Sequence, residues 1–177
     1  MKTFLQSSVV LLLSMVLSGA EPPPNPQIDY EGFQAIVEAS GKERAARRLT
    51  EEQFLQAMQA GDSVLLDARS ASFYGMRHLR GAVNLPFTEF TGETLARMIP
   101  EKSTRILIYC NNNFADSPGS FPSKIMTASL NLSTYTSLRA YGYTNIYELG
   151  PYLKIGETRL PFAGREVQER SRSGGGE

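Results

Sequence analysis

Four short apolar runs, each closed by a polar or turn-forming residue, do most to limit the folds open to this chain. They are Ser63-Val64-Leu65-Leu66 ending at Asp67, Ala82-Val83-Asn84-Leu85 halted by Pro86, Arg105 to Tyr109, and Tyr143 to Leu149. Runs that are apolar throughout, rather than at alternate positions, suit strands buried on both faces. Between them the apolar spacing turns helical. Asp29 can cap a helix carrying Phe33, Ile36 and Val37 that ends at Gly41, and Thr50 with Gln53 forms a capping-box pattern ahead of Phe54, Leu55 and Met58, with Gly61 as the stop. Thr94 to Met98 reads as a short helix, and a longer one covers at least Ser129 to Tyr141, with Ser123 as the earliest start and Gly142 as the end. Strands alternating with helices predict an α/β fold, a mostly parallel central sheet with helices on both faces.

The ends have a different character. Lys2, the apolar run Val9 to Leu17 and the small residues Ser18-Gly19-Ala20 read as a secretory signal peptide over 1–20. The run is too short to span a membrane of about 20 residues, and Pro22-Pro23-Pro24 would stop a helix after it. No cysteine lies near the cleavage point to carry a lipid. The expected mature chain is therefore exported, periplasmic or secreted, with no stable membrane insertion after cleavage. Residues 21–27 form a proline-rich linker, 28–164 the folded domain, and 165–177 a polar, flexible C-terminal tail closed by three glycines. About 155 residues remain after cleavage, enough for one core.

Eighteen Lys and Arg balance 18 Asp and Glu, which argues against nucleic acid as a partner. Arg44, Arg47 and Arg48 cluster locally and read as a solvated helix face or loop. The single cysteine, Cys110, follows the run Arg105 to Tyr109, where a buried strand gives way to a loop and open α/β sheets place their ligands. It can form no internal disulfide, so it either packs as a small apolar side chain or acts as a thiolate.

Four segments in order resemble the rhodanese (sulfurtransferase) family: Leu65-Leu66-Asp67-Ala68-Arg69; His78-Leu79-Arg80-Gly81-Ala82-Val83-Asn84-Leu85-Pro86, with Tyr74 at the family's aromatic position; Ile106-Leu107-Ile108-Tyr109-Cys110; and Gly142 to Gly150. The resemblance implies a rhodanese-like three-layer fold and transfer of sulfane sulfur through a Cys110 persulfide. The expected partners are a small sulfur donor such as thiosulfate and a thiol or protein acceptor, with no cofactor. That chemistry needs a thiolate, so an ordinary thiol pKa of about 8.5 has to fall. A loop around the sulfur and a helix N-terminus facing it would supply the N–H dipoles.

The chain departs from the family pattern after the cysteine. It takes 32 residues from Cys110 to Gly142, more than ordinary members, and carries no basic residue before Lys124. The additional segment, Asn111 to Pro122, is rich in turn formers, and a long loop beside a site is more often functional than decorative. It could be a lid in which Phe114 and Phe121 shield the sulfur. Alternatively Lys124 folds back to bind an anionic donor, or the cradle is broken and the domain is a weak or inactive binding module that uses this loop. Asp116 would repel an anion. Asn111, Asn112 and Asn113 could donate to the sulfur or to loop backbone, or form a polar turn only. Expected substrate-binding residues are thus Asn111, Asn112, Asn113, Phe114, Lys124 and Arg69, with Cys110 catalytic.

Asp67 and Arg69 are expected to pair at the strand end, with Arg69 able to border the pocket. The resemblance makes His78 structural. One His and one Cys do not make a metal site, so none is expected. A cysteine phosphatase would need a cation after five intervening residues, where this chain has Asp116.

Overall fold

The computed structural model describes residues 25–173. The signal peptide expected over 1–20 and the linker before Asn25 lie outside the described residues. Six helices run in chain order: α1 (Tyr30–Arg44), α2 (Glu51–Ala60), α3 (Ala71–Met76), α4 (Gly92–Met98), α5 (Leu130–Ala140) and α6 (Arg165–Ser173). The strands are β1 (Arg48–Leu49), β2 (Ser63–Asp67), β3 (His78–Leu79), β4 (Val83–Asn84), β5 (Arg105–Tyr109), β6 (Phe114–Ala115), β7 (Ile146–Leu149), β8 (Leu153–Lys154) and β9 (Phe162–Ala163). Five of them form one sheet in the order β1-β7-β5-β2-β4, and every neighbouring pair is parallel. None of the described helices is long and apolar enough to cross a membrane.

The sheet is covered on both faces because its central strands carry apolar residues at consecutive positions, Val64 to Leu66 and Ile106 to Tyr109. Successive side chains of a strand point to opposite sides. Leu65, Leu107 and Tyr109 therefore join Phe54 and Ala57 of α2, while Leu66, Ile106 and Ile108 join Leu95 of α4 and Tyr135 and Leu138 of α5. Each fully buried leucine or isoleucine contributes about 1.5–3 kcal/mol. The capping box at Thr50 and Gln53 forms as its spacing predicts, and Gly61 ends α2 in the left-handed conformation, φ 73°. Gly142, φ 86°, turns the chain from α5 toward β7.

Three elements differ from the sequence reading. Helix α1 continues through Gly41 to Arg44, and its apolar residues Phe33 and Val37 stay 54% and 43% exposed. A glycine costs a helix only about 1 kcal/mol relative to alanine, and here the last turn is tied down by pairs from Glu43 to Arg139 at 3.0 Å and from Arg44 to Glu148 at 2.5 Å. Strand β1 was hidden in the basic stretch. Its partner β7 supplies the pairing that two residues alone cannot advertise. The expected tail over 165–177 begins as helix α6, whose Glu166 carboxylate meets Arg77 at 3.1 Å and accepts from the Ser120 hydroxyl at 3.1 Å.

The segment after Cys110 and the segment after Gly150 are knitted to each other. Strand β6 of the first pairs in parallel with β8 of the second, and β9 pairs antiparallel with β3. Phe114 and Phe121 are both 1% exposed. Their rings lie 4.7 Å apart, and Phe162 stands 5.2 Å from Phe114. Gly164, φ 116°, lies so near α3 that a Cβ there would come within 2.5 Å of the Met76 carbonyl oxygen.

Candidate active site

Cys110 stands at the C-terminal end of β5, the middle strand of the five, and is 1% exposed. Asn111–Asn113 turn back immediately as a single 3₁₀ turn. The turn closes with the Asn113 backbone N–H donating to the Cys110 carbonyl at 3.2 Å, while the Asn113 side-chain oxygen accepts from the Cys110 N–H at 2.9 Å. The Ser129 hydroxyl lies 3.4 Å from Sγ. Ser129 is the N-cap of α5 but makes no capping bond, which leaves its hydroxyl to the sulfur. Backbone dipoles at that helix start favour negative charge beside them.

The asparagines act on the backbone. Asn113 donates from Nδ2 to the Leu149 carbonyl at 2.8 Å and the Pro151 carbonyl at 3.2 Å, and its Oδ1 also accepts from Asn131 Nδ2 at 3.2 Å. Asn112 clasps the Lys124 backbone twice, donating to its carbonyl at 2.7 Å and accepting from its N–H at 3.0 Å. Asn111 is buried with Oδ1 unpartnered. Of the two expected uses for these amides, loop backbone is the one realised among the described contacts.

A cavity of about 120 Å³ opens at the sulfur, walled by Cys110, Asn112, Ser129, Arg44, Arg48 and Glu148 among others. Liquid water occupies roughly 30 Å³ per molecule, so the space matches about four waters or one small oxyanion. Glu148, 1% exposed, carries Oε1 against Arg44 at 2.5 Å and against Arg48 Nε at 3.4 Å. Its Oε2 and the Nε of Arg44 have no partner. Two guanidiniums against one carboxylate leave a net positive charge at the cavity. Sequence reasoning had put Arg44 and Arg48 on a solvated face, and nothing in their local spacing pointed to the sulfur.

Three expected substrate contacts are corrected. Phe114 packs in the core beside Tyr109, Phe121 and Phe162, so it is neither a lid nor a binding residue. Arg69 is walled in at 2% exposure. It donates to the Asp67 carboxylate at 2.6 and 2.9 Å, the Ser120 carbonyl at 2.8 Å and the Arg77 carbonyl at 2.8 Å, with Phe121 stacked 4.2 Å from its centre. Burial opposes its charge, yet the hydrogen bonds and field of Asp67 outweigh it and raise its pKa. Lys124 meets the site through its backbone only, and its side chain does not line the sulfur cavity. Asp116, exposed at φ 62°, serves a turn and does not line that cavity, which removes its expected repulsion of an anion.

The Asp67 carboxylate also accepts from the Tyr109 hydroxyl at 2.6 Å, and that hydroxyl accepts from the Leu79 N–H at 3.0 Å. Burial and the adjacent carboxylate push the Tyr109 pKa well up, so it stays a donor. His78 stacks on Tyr74 at 3.8 Å and bonds through Nδ1 to its carbonyl oxygen at 2.7 Å, away from the sulfur cavity's lining. Among the described residues no group of three or more His, Cys, Asp or Glu is placed to hold a metal.

A parallel sheet that delivers a cysteine from its central strand into a small polar cavity defines an α/β protein with a thiol at the carboxyl end of a strand, where such sheets place their ligands. The chain belongs to the rhodanese-like domain family, whose model matches residues 50–150. Its solved relatives are distant. The Alr3790 protein of Anabaena sp. is 18% identical over 71% of this chain and 99% of its own, TM-score 0.47. A rhodanese from E. coli, described with anions, is 21% identical over 58% and 99%, TM-score 0.39. A thiosulfate sulfurtransferase from Pseudomonas aeruginosa is 20% identical over 78% of this chain and 26% of its own, TM-score 0.45. Comparison with curated proteins finds no match.

Proposed function

We propose that this protein is a sulfurtransferase that moves sulfane sulfur through Cys110. The observation that carries this reading is the Ser129 hydroxyl at 3.4 Å from Sγ, at the floor of a cavity that holds Arg44 and Arg48. With thiosulfate as donor, the Cys110 thiolate attacks the terminal sulfur. An Sγ–S bond forms, the S–S bond of thiosulfate breaks, and sulfite leaves with the electron pair. The persulfide anion then sits beside the Ser129 hydroxyl and the start of α5, as the thiolate did. A thiol or other nucleophile from a small molecule or protein takes the outer sulfur and returns the thiolate. Export to the periplasm or beyond belongs to the same reading and rests on the sequence of residues 1–20. Incubation with sulfane donors should add the mass of one sulfur atom to the wild-type protein and none to Cys110→Ser. Wild-type protein that gains no sulfur from any donor overturns the proposal.

A second reading draws on the 1% exposure of Cys110: a weak or inactive rhodanese-like binding module. It expects a thiol inert to alkylation. The Asn111 to Pro122 loop is a poor binding face for it, since Phe114 and Phe121 are spent inside the core.

A further inference from the structure

The sulfur cavity is the inner end of a larger space. A second cavity, about 530 Å³, shares Arg44, Arg48, Asn112 and Ser129 with it and adds Met126, Leu132 and Tyr152 as apolar or aromatic wall. Met126 and Tyr152 are 86% and 65% exposed, so this vestibule presents apolar surface to solvent directly outside a reactive centre. Part of its wall lies outside the family segment: Arg44 and Arg48 precede it and Tyr152 follows it, while Met126 and Leu132 belong to the long stretch between Cys110 and Gly142. Thiosulfate would occupy the inner cavity and leave the outer one without a use.

Resting on the sulfurtransferase reading, we infer that the vestibule binds the organic body of an anionic sulfane donor, R–SO2–S⁻ or R–S–S⁻ with an apolar R. The terminal sulfur enters the inner cavity toward Cys110, the anionic group lies against Arg44 and Arg48, and R packs on Met126, Leu132 and Tyr152. The positive charge left over from the Arg44, Arg48 and Glu148 cluster, with the unpartnered Arg44 Nε, gives the anion its place. For a thiosulfonate, the Cys110 thiolate forms the Sγ–S bond, the donor S–S bond breaks, and the sulfinate R–SO2⁻ departs with the electron pair. Charge is conserved at two negatives on each side.

Methanethiosulfonate and benzenethiosulfonate share a reacting group and differ only in R. The benzene donor should load Cys110 with a kcat/KM at least about tenfold higher, as hydrophobic pocket contacts commonly discriminate. Met126→Ala and Tyr152→Ala should each cut that ratio by lowering the benzene donor's kcat/KM. Equal rates for the two donors, or a ratio indifferent to both substitutions, would refute the vestibule and leave sulfur transfer standing. A parallel arm measures benzenesulfinate and methanesulfinate binding to Cys110→Ser by calorimetry. Benzenesulfinate that binds more tightly and weakens on Tyr152→Ala supports the vestibule even if no donor transfers sulfur, whereas equal binding of both refutes it.

Discussion

Arg69 and the pair Arg44 and Arg48 are the two arginine settings near the end of the sheet, and they differ in what is left over for a ligand. Arg69 sits at 2% exposure with Asp67 as counterion and two carbonyls as acceptors, closed over by Phe121. Arg44 and Arg48 share one carboxylate between them, their side chains 24% and 56% exposed, on the wall of the sulfur cavity. A saturated buried guanidinium holds the fold together. One that shares its counterion beside a cavity has charge available for an anion.

The first way to break this contrast is Arg69→Ala, which leaves the Asp67 carboxylate buried without its cation. Stability should fall by about 3–5 kcal/mol in denaturant unfolding. A loss below about 1 kcal/mol would mean that Arg69 is not the structural partner its bonds describe. Phe114→Ala should cost a similar or slightly smaller amount, about 3 kcal/mol or more, by opening a cavity among Tyr109, Phe121 and Phe162. A neutral result would restore the lid that the sequence suggested.

Arg44→Gln should be intermediate, about 1–3 kcal/mol, because Glu148 would stay buried with only Arg48 at 3.4 Å. Arg48→Gln should change stability by less than about 0.5 kcal/mol yet slow persulfide formation from an anionic donor several-fold, with a salt dependence flatter than wild type. Equal rates for Arg48→Gln and wild type across ionic strength would remove Arg48 from the site.

The smallest effect belongs to a half-buried pair at the start of α2. The Glu51 pKa is lowered by the Thr158 hydroxyl, at 2.6 Å, which outweighs the raising effect of burial, with help from the Arg159 N–H and charge. A carboxyl whose pKa is depressed on folding adds stability that is present above its unfolded pKa and disappears as pH falls through the folded one. Glu51→Gln should therefore be slightly less stable than wild type near neutrality. The difference should close on acidification into and below the usual carboxylate range, as read from paired unfolding curves.

What could be read in the sequence follows the range of the interactions involved. The runs ending at Asp67 and Tyr109 are apolar at consecutive positions, Val64 to Leu66 and Ile106 to Tyr109, which already requires cover on both faces of a sheet, and Thr50 with Gln53 closes its capping box within one turn. The cysteine's position at a strand end could be read for the same reason. Asn113 was legible as a neighbour of the sulfur by adjacency, but the use of its amide on the Cys110 N–H and the Leu149 carbonyl depended on the tight turn that follows Cys110. Ser129 lies 19 residues from its sulfur, and Glu148 lies 104 residues from Arg44. No local spacing encodes such pairs. Phe114 looked like a lid because an aromatic residue in a polar loop has no visible partner until β6 meets β8 and Phe162 arrives from the far end of the chain.

The sequence by itself determined the layered α/β order, the strand that carries Cys110 and the family to which the chain belongs, since these rest on patterns within a few residues of one another. The tertiary structure alone decided which arginines face the sulfur and which is sealed, that the polar end of the domain forms a helix, and that the long excursion fills a core while opening a vestibule. Those outcomes depend on packing between segments remote in the chain. There the same guanidinium can be a buried strut or an anion site according to how many acceptors the fold brings to it.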